Sequence, residues 1–581
     1  MENLRIFHNA FQGSLPTELG LMTSMIEFYA YESSLSGTLP SELGKLTSLE
    51  HMEIHENAFT GPLPTELGLM TSMTELDVHE NSLSGIFPSE LGWLKSLEGL
   101  FLWQNEFTGT LPTELGLMSS MTGFLASSNS LNGGIPSEAG GLTGLVRLYL
   151  WGNEFTGTLP TELGLLTRMT DFQPALNAFG GPIPSELGLL TSLEDLRIFH
   201  NAFQGSLPTE LGLMTSMIEF YAYESSLCGT LPSELGKLTS LEHMEIHENA
   251  FTGPLPTELG LMTSMTELDL QENSLSGSFP SELGRLTQLE KMYLSDNAFT
   301  ACLPSEVGML AQLTRIYLDD NSFTCPLPTE LGMLSQLERM YFHRNAFTGT
   351  LPGELGLATS MERMYLYLNV LTGTLPSELG LATSIERMSL YENSFTGFFP
   401  SEFGRLTSMI SMSLRSNSLS GSLPTDAGML TQMTLLSLRS NAFGGPLPSE
   451  AGLLTQLSGL WLNDCSFSGF IPSELGLMES IQTLNLSNNS FVGLVISELG
   501  QLESLQELDL SSSPPSLRGP FPFGSLPSSL GYLNISGSPG LIGTIPEELC
   551  FLQNSSCFYD EEECSIDFDC SNLLCGCDCE C

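Results

Sequence analysis

A six-residue motif, Leu-Pro-Thr/Ser-Glu-Leu-Gly, begins at Leu15, Leu39 and Leu63, and its register continues in steps of 24 residues to Val495 without an insertion or deletion. A fixed period of this length commits a chain to stacked coils, because a single 24-residue unit cannot bury its own leucines. The 581 residues therefore predict one elongated repeat domain over 1–549, about 23 coils, followed by a cysteine-rich acidic tail at 550–581. Part of the array is duplicated. Leu4–Gly85 recurs at Leu196–Gly277, differing only as Ser36/Cys228, Val78/Leu270 and His79/Gln271. Met1 thus falls in the middle of what is elsewhere an interior coil, with no apolar leader behind it. The expectation is a sequence that lacks its original signal segment and N-terminal cap.

Within one coil, Leu268 and Leu270 alternate with polar neighbours, the signature of a short half-buried strand. Stacking such strands predicts a parallel sheet at about 4.8 Å spacing. Asn273 belongs to a column with Asn57, Asn81, Asn105, Asn297, Asn321 and Asn489, whose amides suit backbone groups where each coil turns. Ser33, Ser225, Cys465 and Ser513 break the column and predict looser turns. The second half of a coil, Gly277–Gly284, reads as a turn entering a short helix with Pro280 at its first position. An acidic residue stands near that helix start at each station, from Glu18 to Glu498, with Asp426 the single Asp. One carboxylate per coil fits helix-end capping better than a row of divalent-cation sites, which need several converging carboxylates.

The pattern LxxLxLxxNxLxGxLPxELGxLxx resembles the plant-specific, extracellular class of leucine-rich repeat over roughly 500 residues. The resemblance implies an α/β solenoid: a right-handed superhelix with a parallel concave sheet, short helical turns on the convex side, and an extra short strand near each Thr-Gly or Ser-Gly pair. It also implies likeness to plant and algal receptor-like ectodomains and secreted leucine-rich-repeat proteins.

Eight of the twelve cysteines lie in the tail: Cys550, Cys557, Cys564, Cys570, Cys575, Cys577, Cys579 and Cys581. They read as disulfide candidates of an oxidising compartment, with a thiolate metal site as the competing reading and no connectivity derivable. Cys302 and Cys325 occupy neighbouring places on successive coils and are a candidate bridge; Cys228 and Cys465 have no evident partner. Asn485, Asn488, Asn534 and Asn554 sit in glycosylation sequons. These features place the chain outside the cell or at its surface, and glycans on the last hundred residues would leave a binding patch upstream.

The net charge of −49 argues against nucleic acid and anionic membranes as partners. No apolar run reaches transmembrane length. No phosphate loop, HExxH, GxSxG or kinase signature appears, so no enzyme, cofactor or metal centre is expected. His8, His55, His200 and His247 read as exposed decoration of duplicated coils. Binding is expected on the variable strand positions, where Lys291, Arg315, Arg339, Arg363 and Arg387 form one column and Tyr293, Tyr317, Tyr341 and Tyr365 a second on the same face. Glu290, Glu338, Glu362 and Glu386 precede four of the basic residues and offer the competing reading, in which the cations are merely paired. A second aromatic spot, Phe101, Trp103, Tyr149 and Trp151, skips a coil. The leading expectation is a non-catalytic recognition protein for a protein, peptide or glycan. A structural wall or adhesion component is the alternative. Ice binding is disfavoured because Ser84, Asn132 and Gly180 interrupt the column Thr60, Thr108, Thr156, Thr252. Ligand identity and oligomeric state are not encoded in any motif.

Overall fold

A computed structural model describes residues 1–545 and 573–575. The chain groups by its contacts into an N-terminal unit, 1–298, and a C-terminal unit, 299–581. In the N-terminal unit a three-residue strand recurs every 24 residues from Asn3–Arg5 to Lys291–Tyr293, and successive strands pair in parallel, as Glu267 opposite Lys291 and Asp269 opposite Tyr293. The C-terminal unit repeats this from Arg315–Tyr317 to Tyr532–Asn534. The central residue of each strand faces the core: Leu268, Met340 and Met364 are buried. Its two neighbours face out, so each coil offers two outward side chains in fixed register.

A second, shorter strand follows at the Thr-Gly and Ser-Gly pairs, such as Ala58–Gly61 and Ser394–Gly397, as the repeat class implied. Phenylalanines stack beneath it, Phe155 on Phe179 at 5.6 Å in the first unit and Phe323 on Phe347 at 5.5 Å in the second. The helical half of the coil differs from expectation. Every helical turn described is a five-residue 3-10 turn or shorter, and no α-helix occurs among the described residues. In the coil read above, the turn is Ser281–Arg285; Pro280 is its extended N-cap and not its first residue. Only five residues separate Pro280 from Leu286, whose apolar side chain must reach the core, so the tighter i→i+3 geometry closes the coil. The carboxylate of Glu282 accepts the hydroxyl of Ser281 at 3.3 Å, which replaces the capping role expected of it.

Each asparagine of the column ties two coils together. Asn345 accepts the Phe323 N–H (3.1 Å) and donates to the carbonyls of Leu318 (2.8 Å), Phe342 (3.3 Å) and His343 (3.2 Å). Where serine breaks the column the bonds thin out: Ser33 makes only 3.4 Å contacts, and the buried Ser225 hydroxyl has no partner. Leaving a buried amide and carbonyl unpaired costs about 1–3 kcal/mol each. Asn345→Ala is therefore expected to lower stability by about 3 kcal/mol, and Ser225→Asn to raise the melting temperature, both read by thermal denaturation.

Cys302 and Cys325 form the predicted bridge, with Cα atoms 4.8 Å apart. Cys228 and Cys465 are free and partly buried, and burial pushes the Cys465 thiol up to about 11. Of the tail, only the strand Leu573–Cys575 is described. Cys550, Cys557, Cys564, Cys570, Cys577, Cys579, Cys581 and Asn554, with the expected boundary at 549/550, lie outside the described residues, and of Cys575 only the backbone is described. Among the described residues no helix is long and apolar enough to cross a membrane.

Candidate ligand-binding face

On the C-terminal unit, parallel pairing places Arg315 opposite Arg339, Arg339 opposite Arg363, and Arg363 opposite Arg387. Tyr317, Tyr341 and Tyr365 stand beside them, two residues further along each strand. Their rings stack, Tyr317 on Tyr341 at 4.3 Å and Tyr341 on Tyr365 at 4.7 Å. The guanidinium of Arg339 donates to the Tyr317 hydroxyl, which raises its pKa, and that of Arg363 does the same toward Tyr341. The glutamates do not neutralise the column. Arg339, Arg363 and Arg387 form no ion pair among the described residues, and Glu338 and Glu362 accept backbone N–H bonds through their carbonyls instead. The Nε atoms of Arg339 and Arg363 are buried without a hydrogen-bond partner.

The basic-aromatic face is wider than the two columns read from the sequence. One strand position beyond the tyrosines runs a third column, His343, Tyr367 and Tyr391, with rings stacked at 4.2 and 4.3 Å. Arg415 continues it, its guanidinium 4.1 Å from the Tyr391 ring centroid and 3.0 Å from Glu392. The same 24-residue spacing reveals these residues in the sequence, but they follow the strand, where the chain already turns toward the asparagine column.

Lys291 and Tyr293 belong to the N-terminal unit, where Lys291 is paired with Glu267 at 2.8 Å. That unit's strand face is largely acidic, and its cations are engaged: Arg5 with Glu27, and Arg197 with Asp195 and Glu219. Desolvation raises the carboxyl pKa of Glu245 and Asp195, and takes that of Asp269 to about 7. A carboxyl group whose pKa is raised by folding weakens the fold as it ionises. Stability is thus expected to fall as pH rises from about 4 to 7 through Asp269, whereas His55 and His247, whose burial lowers their pKa, act oppositely below about 6.5. Asp269→Asn should flatten the first slope in a pH series of melting temperatures and leave the second.

The histidines correct the sequence reading in part. His8 and His200 are outward-facing turn residues with φ of 52° and 49°. His55 and His247 are mostly covered, stacked on Tyr31 and Tyr223 at 4.5 Å each. In the second aromatic spot, Trp103 stacks on His79 at 4.0 Å and Tyr149 bonds Asp171 at 3.3 Å; Trp151 is exposed. Of the sequons, Asn488 is exposed, while Asn485 and Asn534 accept bonds from Ser487 and Ser536.

Short parallel strands, a covered leucine core and an asparagine column define a leucine-rich-repeat protein, and the chain belongs to that family in its plant-type form. The Leucine Rich Repeat family model matches residues 72–94, 144–166, 264–286 and 480–502. Among solved structures, the chain is 30% identical to the plant peptide hormone receptor RGFR1 in complex with RGF2, with a TM-score of 0.87 over 96% of this chain and 89% of that one. It is 30% identical to the Arabidopsis receptor kinase HAESA in complex with the peptide hormone IDA and the co-receptor SERK1, with a TM-score of 0.79 over 93% and 91%. For the PEPR1–AtPEP1 complex the values are 27%, 0.63, 94% and 86%. A leucine-rich-repeat protein of Leptospira interrogans is 26% identical at a TM-score of 0.53, over 73% of this chain and 99% of that one. No curated protein matches the sequence.

Proposed function

We propose that this chain is a non-catalytic extracellular recognition protein that binds an anionic peptide or glycan on the strand face of its C-terminal unit. One observation carries the reading: Arg339, Arg363 and Arg387 lie side by side without an ion pair in a protein of net charge −49. Stacked like charges with buried, unpartnered Nε atoms oppose folding, so their presence needs a reason other than stability. Arginine and tyrosine are the side chains that most often anchor binding, and a guanidinium fork suits carboxylate, sulfate or phosphate. The peptide complexes of RGFR1, HAESA and PEPR1 support a ligand role for this face. The disulfide Cys302–Cys325 supports an oxidising compartment.

The test is a binding panel with a Glu-rich peptide against its Gln counterpart, and an oligouronate against a neutral oligosaccharide. Saturable binding of an anionic member, weakening as salt rises, is expected. Equal binding of charged and neutral members sinks the reading. The near-identical duplication of 82 residues favours a second reading, a spacer or adhesion component without a defined ligand; absence of saturable binding across the panel would favour it.

A further inference from the structure

The N-terminal unit holds a second cluster, unrelated to the arginine face. His55 and His79 stand on successive coils with their rings parallel, 4.3 Å apart at the centroids. Tyr31 covers one side of this pair at 4.5 Å and Trp103 the other at 4.0 Å, which fixes both ring orientations and keeps the pair mostly out of water. The His55 Nδ1 atom is buried with no hydrogen-bond partner, and Glu56 Oε1 lies 3.6 Å from it. His79 is held from its other side, with Nδ1 2.5 Å from Asp77 Oδ1. One ligand atom from each of His55, Glu56 and His79 can be chosen so that all three lie within 4.8 Å of one another.

We propose that His55, His79 and Glu56 form a binding site for a divalent transition ion of the zinc class, with Asp77 positioning the His79 ring. Two imidazoles and one carboxylate are the donor set such ions prefer, whereas calcium and magnesium select oxygen alone. Metal–nitrogen and metal–oxygen bonds of about 2.0–2.2 Å bring donor atoms to roughly 3.4 Å apart, so the cluster must tighten slightly. Glu56 supplies that movement, because it is an exposed turn residue with a long side chain. Burial keeps His55 neutral by lowering its pKa, which leaves its lone pair available. A carboxylate bonded to the non-ligating nitrogen of a metal-bound histidine is the usual way such a ring is oriented.

The chain contains its own control. The duplicated coils repeat His247, Glu248 and Asp269 but carry Gln271 where His79 stands. That copy has a single imidazole, and its His247 Nδ1 is likewise buried and unpartnered. A third cluster, Asp319, Asp320 and His343 in the C-terminal unit, also offers one imidazole, and Arg344 lies 3.4 Å from Asp320.

The full-length protein is titrated with Co²⁺, and the bound ion is then displaced with Zn²⁺. The expected result is one saturable equivalent with visible bands of a nitrogen–oxygen site and no near-ultraviolet thiolate band. His79→Gln, which installs the residue found in the duplicate, should abolish that equivalent with an unchanged melting temperature in the absence of metal. Asp77→Asn should weaken it roughly 10–100-fold. Absence of cobalt binding by the native protein, or equal uptake and spectra in native and His79→Gln proteins, would overturn the proposal.

Discussion

Arg339→Gln/Arg363→Gln is expected to weaken binding of the preferred anionic probe at least about 100-fold while leaving the fold intact. Hydrogen bonds to charged groups contribute about 1.5–3 kcal/mol each, and two lost contacts compound to that factor. Neither arginine has an ion pair to lose, and both side chains leave the sheet beside buried methionines, Met340 and Met364, that stay in place. Removing two of four neighbouring cations also relieves their mutual repulsion, so the melting temperature should hold or rise slightly. The Lys291→Gln variant serves as the contrast. Its ammonium is already committed to Glu267 in the acidic unit, and its loss should change affinity little. Calorimetric titration of the three proteins checks the order; a binding loss matched by a fall in melting temperature would point to the fold instead of the face.

The largest expected effect on stability comes from a single methyl group. A Cβ added at Gly332 would lie 2.1 Å from the carbonyl oxygen of Glu354 and 2.5 Å from its carbonyl carbon, both on the next coil. Backbone cannot swing aside as a side chain can, so Gly332→Ala must push two coils apart or distort the 3-10 turn Thr329–Met333. Overpacking of this kind costs about 1–3 kcal/mol and occasionally more; at this contact the upper end is expected. Denaturant unfolding should show a midpoint well below that of the native protein. A native-like midpoint would mean that the coils approach less closely than described here. The same contact explains why glycine ends each Glu-Leu-Gly or equivalent triplet, a regularity that the sequence displays without giving its cause.

Much of the architecture was legible because the period is strict. Leu268 and Leu270 announce a strand, Asn273 announces the turn after it, and the spacing of 24 stacks one on the next. The geometry of the second half was not. A proline, an acidic residue and a leucine in that order suit the start of an α-helix, yet the five residues before Leu286 allow only a 3-10 turn, and Glu282 bonds Ser281. Of the binding face, the arginine and tyrosine columns were legible as columns. Whether the preceding glutamates neutralise them was not, because that depends on side-chain direction where each chain enters its strand. The third column, from His343 to Arg415, was obscured by its place in the turn. His55 and His79 were obscured for a related reason: periodicity shows that residues share a column, but not whether their rings are covered.

The central claim is that the C-terminal arginines meet a ligand's anionic group. Guanidinium resonances of the full-length protein, assigned by single Arg→Lys substitutions, would be followed while the preferred anionic probe is added. The account predicts saturable shifts confined to Arg315, Arg339, Arg363, Arg387 and Arg415, with Arg5, Arg168 and Arg197 unmoved. Saturable binding that leaves the first group unmoved would contradict it.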